Sequence, residues 1–195
     1  YMNKNNNNSN CTPWQLIPSW LDKSQSDYWM FKIHNSVNWY RPIVSLYGKK
    51  HIVPRMSFFL AESGITYKYS GTKHFGEGWP EWFCPLLEKV RSRSNVQFNG
   101  CLLNLYRDGS DSMGWHSDNE SELDSTKSIA SLSLGGSRNF FIRSKNKSYK
   151  EDILLNKGDL LVMFPDCQIH WEHSLPLRKR SKEPRINLTF RRYLH

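Results

Sequence analysis

From residue 128 to residue 193 the chain breaks into short apolar or alternating segments, each closed by turn-forming residues. SIASLSL ends at Gly135-Gly136, RNFFIRS and DILL follow, and residues 156 to 159 make a turn before LLVMF. QIHWEHS and PRINLTFRRY complete the series. Short strands at close spacing with turn signals between them predict an all-β sandwich or barrel and argue against a helical bundle. The last segment is the most informative. Arg185, Asn187, Thr189 and Arg191 alternate with Ile186, Leu188 and Phe190, so one strand face is polar and doubly cationic while the other is apolar. A half-solvated edge strand is the ordinary outcome of such a pattern. A pair of guanidinium groups on one face also suits a small dianion, because each can grip a carboxylate through paired hydrogen bonds.

Upstream, the pattern changes. Trp29, Ile33 and Val37 form a helical stripe in a segment from about Asp27 to Asn38, and a second helix is predicted from near Pro80, burying Trp82, Phe83, Leu86, Leu87 and Val90. WQLIPSWL reads as an extended lead-in packing on the body, and YRPIVSLYGKKHIVPR as two short strands turning near Gly48, with Leu46 and Tyr47 at the tip. The fold class is mainly β (α+β). The asparagine-rich opening cannot build a core. Residues 1–12 are therefore expected to be a disordered tail and residues 13–195 a single domain, with supporting helices and hairpins to about residue 96 and the β core from about residue 97.

With 27 Lys and Arg against 18 Asp and Glu, the chain carries a net charge of +9, which favours a polyanionic partner. Arg41, Lys49, Lys50 and Arg55 cluster near the hairpin, and Arg178, Lys179, Arg180, Lys182 and Arg185 near the end. The four cysteines show no paired short spacing, which fits free thiols in a reducing intracellular compartment better than a disulfide framework. No apolar run is long enough to span a bilayer and no signal-peptide pattern opens the chain. The expectation is a soluble intracellular protein that does not engage a membrane.

The chemistry concentrates in NLYRDGSDSMGWHSDNE, residues 104–120. His116 and Asp118 stand two apart, and in extended chain such residues project from one face. They would supply two of the three ligands of a 2-His-1-carboxylate iron site. His170 and His173 in QIHWEHSLP both offer the third. Cys167, His170 and His173 also form a Cys-x2-His-x2-His spacing, a competing zinc reading that lacks a fourth ligand and leaves His116 and Asp118 unused. Asn104 and Tyr106 share a strand face leading into the turn at Asp108-Gly109. Tyr67 and Tyr69 likewise share a face in GITYKYSG, and Glu120 lies two beyond Asp118.

Across residues 52–193, the ordered segments IVPRMSF, GITYKYSG, LLNLYRDGSDSMGWHSDNE, IASLSLGGSR, HWEHSLP and PRINLTFR resemble the AlkB family of Fe(II)- and 2-oxoglutarate-dependent dioxygenases, most closely its nucleic-acid repair branch. The terminal Arg-x-Asn-x-Thr-Phe-Arg is the most specific of these motifs. The resemblance implies a double-stranded β-helix (jelly-roll) core and an iron held by His116, Asp118 and His173, the last chosen because it precedes Ser-Leu-Pro. It implies 2-oxoglutarate held by Asn104, Tyr106, Arg185, Asn187, Thr189 and Arg191, with Arg191 nearer the metal-chelating end and Arg185 at the distal carboxylate. It also implies substrate contacts from Tyr67, Tyr69 and Glu120, and a wedge at Tyr47. The reaction so implied consumes O2 and oxidatively demethylates 1-methyladenine and 3-methylcytosine in DNA, releasing formaldehyde, succinate and CO2. Such an enzyme is expected to act as a monomer, in the nucleus of a eukaryote or the cytoplasm otherwise. RNA demethylation by the same chemistry, demethylation of a protein side chain and a catalytically silent nucleic-acid-binding module are the alternatives.

Overall fold

The computed structural model describes residues 12–46, 49–69 and 72–194, the side chains of residues 45, 46, 69 and 72 excepted. The chain opens with β1 (Trp14–Ile17), α1 (Lys23–Ser36), β2 (Ile43–Leu46), β3 (Lys49–Ile52), β4 (Met56–Ala61), β5 (Thr66–Tyr69) and β6 (Thr72–Phe75). A 3-10 turn at Glu81–Phe83 runs into α2 (Cys84–Ser94), then come β7 (Gly100–Tyr106), β8 (Met113–His116), β9 (Ile129–Gly135), β10 (Arg138–Ser144) and β11 (Lys150–Leu155). The chain continues with β12 (Leu160–Met163), α3 (Pro165–His170), β13 (Trp171–Leu175) and β14 (Arg185–Arg191).

The strands build two facing antiparallel sheets, one in the order β1-β12-β9-β14-β7-β4 and the other β11-β10-β13-β8, with β2-β3 and β5-β6 as separate hairpins. This is the jelly-roll core expected. Period-two alternation decides what each face does. On β14, Ile186, Leu188 and Phe190 pack with Ile33 of α1 and with Phe83, Leu87 and Val90 of the α2 region in one buried cluster. A second cluster, holding Ile129 and Leu161 from the large sheet and Ile142 and Leu155 from the small one, closes the space between the sheets. The polar residues of β14 face that same interior. Far from being an edge, β14 lies between β9 and β7 and is paired along its length with β7.

The lead-in is extended and packs on the body as expected, as the strand β1 paired with β12 at the border of the large sheet. Two other elements differ from their sequence expectation. Helix α1 starts at Lys23, earlier than its apolar stripe indicates, because the Asp22 side chain caps it by accepting from the Gln25 N–H at 2.8 Å. QIHWEHS is not one strand. Residues up to His170 form the short helix α3, opened by Pro165, and only Trp171 onward is extended. No helix among the described residues is long and apolar enough to cross a membrane.

The turn before β8 is fastened to the loop after β13. Gly109 donates its N–H to the Ser181 carbonyl (2.9 Å) and accepts from the Arg178 N–H (2.7 Å). The buried Arg138 guanidinium donates to the carbonyls of Asp108, Asp111 and Pro176. The approach at Gly109 leaves no room for a side chain, since a Cβ there would lie 1.6 Å from the Arg178 oxygen. Gly109→Ala should therefore cost about 1–3 kcal/mol by overpacking. A lowered Tm in a thermal scan checks this, and an unchanged Tm would mean that the two loops are not fastened here.

Candidate active site

Strand β8 ends on His116, and Asp118 follows two residues later. In the β8–β13 pairing His173 stands opposite His116. The three side chains converge from two neighbouring strands and the turn beyond one of them, and their candidate ligand atoms all lie within 4.8 Å of one another. The two imidazole rings are 4.3 Å apart, edge to face. His116 Nδ1 lies 2.9 Å from the Gly114 carbonyl, so it carries the proton and leaves Nε2 as the lone-pair nitrogen. Such a bond fixes tautomer and ring orientation in metal-ligating histidines. His173 is buried, and its Nδ1 has no hydrogen-bond partner.

The electrostatics suit a cation. Burial alone would raise the Asp118 carboxyl, but Arg191 and the two histidines outweigh it and bring it down to about 2. Arg191 Nη2 lies 2.9 Å from Asp118 Oδ1. Burial, reinforced by His116 and opposed by Asp118, holds the His173 imidazole down to about 3. At neutral pH, Asp118 is thus ionised and His173 neutral, the states in which they bind metal. Two nitrogens and one carboxylate oxygen, with a cavity beside them, make a donor set that fits Fe(II).

That cavity is lined by Asn104, Tyr106, Arg185, Asn187, Thr189 and Arg191, together with the three candidate ligands. Arg185 is 1 % exposed. Its Nη2 donates to Ser133 Oγ and Asn187 Oδ1, both at 2.9 Å, and its Nε has no partner. Among the described residues it has no carboxylate within ion-pair distance, and burial brings its pKa down to about 10. A buried, uncompensated guanidinium is costly unless an anion joins it. A carboxylate of 2-oxoglutarate meets that need. Asn187 is less open than expected, because its Oδ1 also accepts from Ser131 Oγ (2.9 Å) and its Nδ2 donates to Thr189 Oγ1 (2.8 Å). Its amide is therefore engaged in aligning the strand face.

In the same cavity, the Tyr67 hydroxyl donates to Glu120 Oε1 at 2.9 Å and accepts from Arg191 Nη1 at 3.5 Å. Burial is the main reason that the Tyr67 hydroxyl is held well above its ordinary pKa. Glu120 Oε2 is buried without a partner, an open acceptor beside the ligands. Tyr47 and the Tyr69 side chain lie outside the described residues. The zinc alternative does not assemble: the metal-ligating group contains His173 but neither Cys167 nor His170, and His170 is exposed at the end of α3.

Several contributing residues carried no motif. Gln168 Oε1 accepts from the Asp118 N–H at 2.8 Å, and Ser117 Oγ donates to the Trp171 carbonyl at 2.7 Å, so the chain entering Asp118 is tied to the α3–β13 junction. Ser131 and Ser133 sit at alternate positions of the otherwise apolar β9. That Ser-x-Ser pair was the one visible signal of a polar face turned inward.

The low pKa of His173 has a consequence for stability. On unfolding the ring returns to about 6.5, so between pH 6.5 and 3 the unfolded chain binds a proton that the folded chain does not. Metal-free protein should lose stability as the pH falls through that window. His173→Gln removes this contribution, so its Tm should fall less steeply than wild type between about pH 7 and 4. Parallel Tm profiles for the two proteins would mean that the ring is not buried and neutral.

The model of the 2OG-Fe(II) oxygenase superfamily matches residues 14–191. The chain is 40% identical to the DNA oxidative demethylase ALKBH2 of Mus musculus over 163 residues, covering 77% of this chain and 66% of that protein. It is 32% identical to the DNA oxidative demethylase ALKBH2 of Arabidopsis thaliana, and 34% identical to the alpha-ketoglutarate-dependent dioxygenase alkB homolog 3 of Mus musculus. Each of these matches covers 90% of this chain and 64% of the relative. The chain thus spans less than two thirds of the length of these relatives. The solved structure of OsALKBH1 superposes with a TM-score of 0.67 at 17% identity, covering 93% of this chain and 98% of that one, a likeness of fold. With this match over nearly its whole length and a His-Asp-His centre beside two buried arginines, the chain belongs to the 2OG-Fe(II) oxygenase superfamily.

Proposed function

We propose that the protein is an Fe(II)- and 2-oxoglutarate-dependent dioxygenase that oxidatively demethylates N-methylated bases in DNA, with 1-methyladenine and 3-methylcytosine as leading substrates. The observation that carries this reading is the buried Arg185 guanidinium, without a carboxylate partner among the described residues, in the cavity that the three candidate metal ligands also line. A keto-diacid supplies the missing charge at one end and can chelate the metal at the other. The relatives named DNA oxidative demethylase support the substrate class. Residues 13–195 act in this reading as one domain and as a monomer, wherever the cell keeps its DNA.

His116, Asp118 and His173 would hold the iron on one side, leaving room for 2-oxoglutarate and O2. Bound iron and 2-oxoglutarate supply, with O2, the oxidation of a methyl C–H; succinate and CO2 leave, and the hydroxylated methyl departs as formaldehyde. The chain's own residues do the rest. Arg185 holds the distal carboxylate. Arg191, already beside Asp118, lies at the chelating end. Asn104 and Tyr106 add hydrogen bonds. The methylated base must leave its stack to reach the iron, and a methyl on the pairing edge lowers that cost. Tyr67 and Glu120 then meet its polar edge, with Glu120 Oε2 free to accept from an amino group, while Tyr69 stacks on the ring. Tyr47, between β2 and β3 in the sequence, would fill the gap in a duplex.

The test incubates the protein with Fe(II), 2-oxoglutarate and methylated oligonucleotides, DNA and RNA, single- and double-stranded, and weighs the products. Loss of a methyl group matched by succinate release is expected on DNA. Demethylation of RNA alone would reassign the substrate, and no demethylation of any oligonucleotide would refute the reading. His116→Ala should abolish turnover while oligonucleotide binding, read by a mobility shift, stays near wild type. Wild-type turnover in that variant would overturn the ligand assignment. Tyr47→Ala should slow action on duplex more than on single strands, and equal losses on both would remove the wedge.

A further inference from the structure

We propose that Arg55 and Ser57 are positioning residues that lock the Asn104 side-chain amide in one orientation, with its oxygen turned away from the cavity and its NH2 presented to the cosubstrate. This rests on the reading of the cavity as a 2-oxoglutarate site. The two ends of an amide have nearly the same shape, so its neighbours decide which way it lies. Here both neighbours are donors to the same atom. Arg55 Nε donates to Asn104 Oδ1 at 3.0 Å and Ser57 Oγ donates to it at 2.9 Å. All three residues are buried: Arg55 and Ser57 are each 2 % exposed and Asn104 6 %.

Arginine has no acceptor. A flipped amide would set its NH2 against the guanidinium N–H, two donors facing each other in a buried site, where an unmade hydrogen bond is expensive. The serine hydroxyl could reverse its own role, but the arginine cannot, so the orientation follows from Arg55 and is seconded by Ser57. The pairing register puts the donors where they are needed. Ser57 of β4 lies directly opposite Asn104 of β7, and Arg55 sits just ahead of β4.

The consequence is chemical selectivity. The other end of the amide, which can only donate, is left to the cavity that Asn104 lines with Tyr106 and Arg185. The carboxylate and keto oxygens of 2-oxoglutarate accept hydrogen bonds and do not donate them. Locked this way, Asn104 offers such a ligand a donor at no cost of reorientation, whereas a free amide would spend part of its time opposing acceptor with acceptor.

Calorimetric titration of Mn(II)-loaded protein with 2-oxoglutarate tests this without turnover, with Mn(II) affinity and Tm read alongside. Ser57→Ala should raise the 2-oxoglutarate Kd roughly threefold and Arg55→Met roughly tenfold, the scale of one neutral and one charge-assisted hydrogen bond. Mn(II) affinity should hold. In an Asn104→Ala background both changes should have no further effect, because they act only through the amide. Asn104→Asp, which keeps its contact to Arg55 but turns an acceptor to the cavity, should bind 2-oxoglutarate more weakly than Asn104→Ala. If Arg55→Met does not fold, Ser57→Ala alone and combined with Asn104→Ala carries the test. An unchanged Kd in the single variants, or losses that persist in the Asn104→Ala background, would overturn the lock while leaving the site intact. A wild-type protein that binds Mn(II) but no 2-oxoglutarate would overturn the reading of the site itself, and the lock with it.

Discussion

Two arginines buried on one face of a central strand set the terms for everything around them. Strand β14 has to place Arg185 and Arg191 between two sheets, at 1 % and 4 % exposure, where an unpaired cation is strongly disfavoured. The other face of the same strand offsets this by burying Ile186, Leu188 and Phe190 against α1 and the α2 region. At roughly 1.5–3 kcal/mol for each fully buried large apolar side chain, that packing is large enough to anchor the strand against the cost of its polar face. The two arginines are then treated differently. Arg191 has its counter-charge within the chain, in Asp118 at 2.9 Å, whereas among the described residues Arg185 has hydroxyl and amide partners only. A stable apo fold with a standing appetite for an anion follows from that asymmetry.

The candidate metal centre depends on the same sheet-to-sheet geometry. His116 and His173 come from paired strands of the small sheet, and Asp118 lies beyond the pairing, where the ladder no longer supplies its N–H with a partner. The Gln168 side chain supplies it instead. Because Ser117 and Asp118 bond to the start of β13 and to α3, the carboxylate is fastened to the segment that carries His173. Arg138 extends the fastening to the turn in front of β8. All three candidate ligands are thus mounted on elements joined by at least one buried or half-buried hydrogen bond, which is what a preorganised site requires.

How much of this was legible in the sequence follows from the range of each interaction. The alternation of β14 was readable because strand periodicity is local, and with it the polar face that carries the candidate cosubstrate residues. His116 and Asp118 were readable as a pair because they are two apart. The choice between His170 and His173 was not readable from residue chemistry. It depends on where α3 stops and β13 starts, a one-residue matter that the resemblance settled and that the position of His173 opposite His116 agrees with. The partners of the supporting side chains were not readable. Ser133 meets Arg185, Gln168 meets Asp118 and Arg55 meets Asn104 across about 50 residues of chain each, and such partnerships exist only once the strand register is known. Arg55 is the clearest case. In the sequence it joins a basic cluster near the hairpin, yet in the fold it is buried and turned inward.

Arg191 shows why the substrate and cosubstrate halves of the site should not be treated as separable. Its guanidinium contacts Asp118 at one nitrogen and lies 3.5 Å from the Tyr67 hydroxyl at the other, and Tyr67 in turn donates to Glu120. Tyr67 belongs to the β5–β6 hairpin, whose His74 also packs against Tyr67 and Phe59. One cation therefore ties a candidate metal ligand, the cavity and the β5–β6 hairpin into a single hydrogen-bonded chain. Any group that enters between Tyr67 and Glu120 competes for a hydroxyl that Arg191 also holds. A group held between Tyr67 and Glu120 would thereby be coupled, through two hydrogen bonds, to the Asp118 carboxylate.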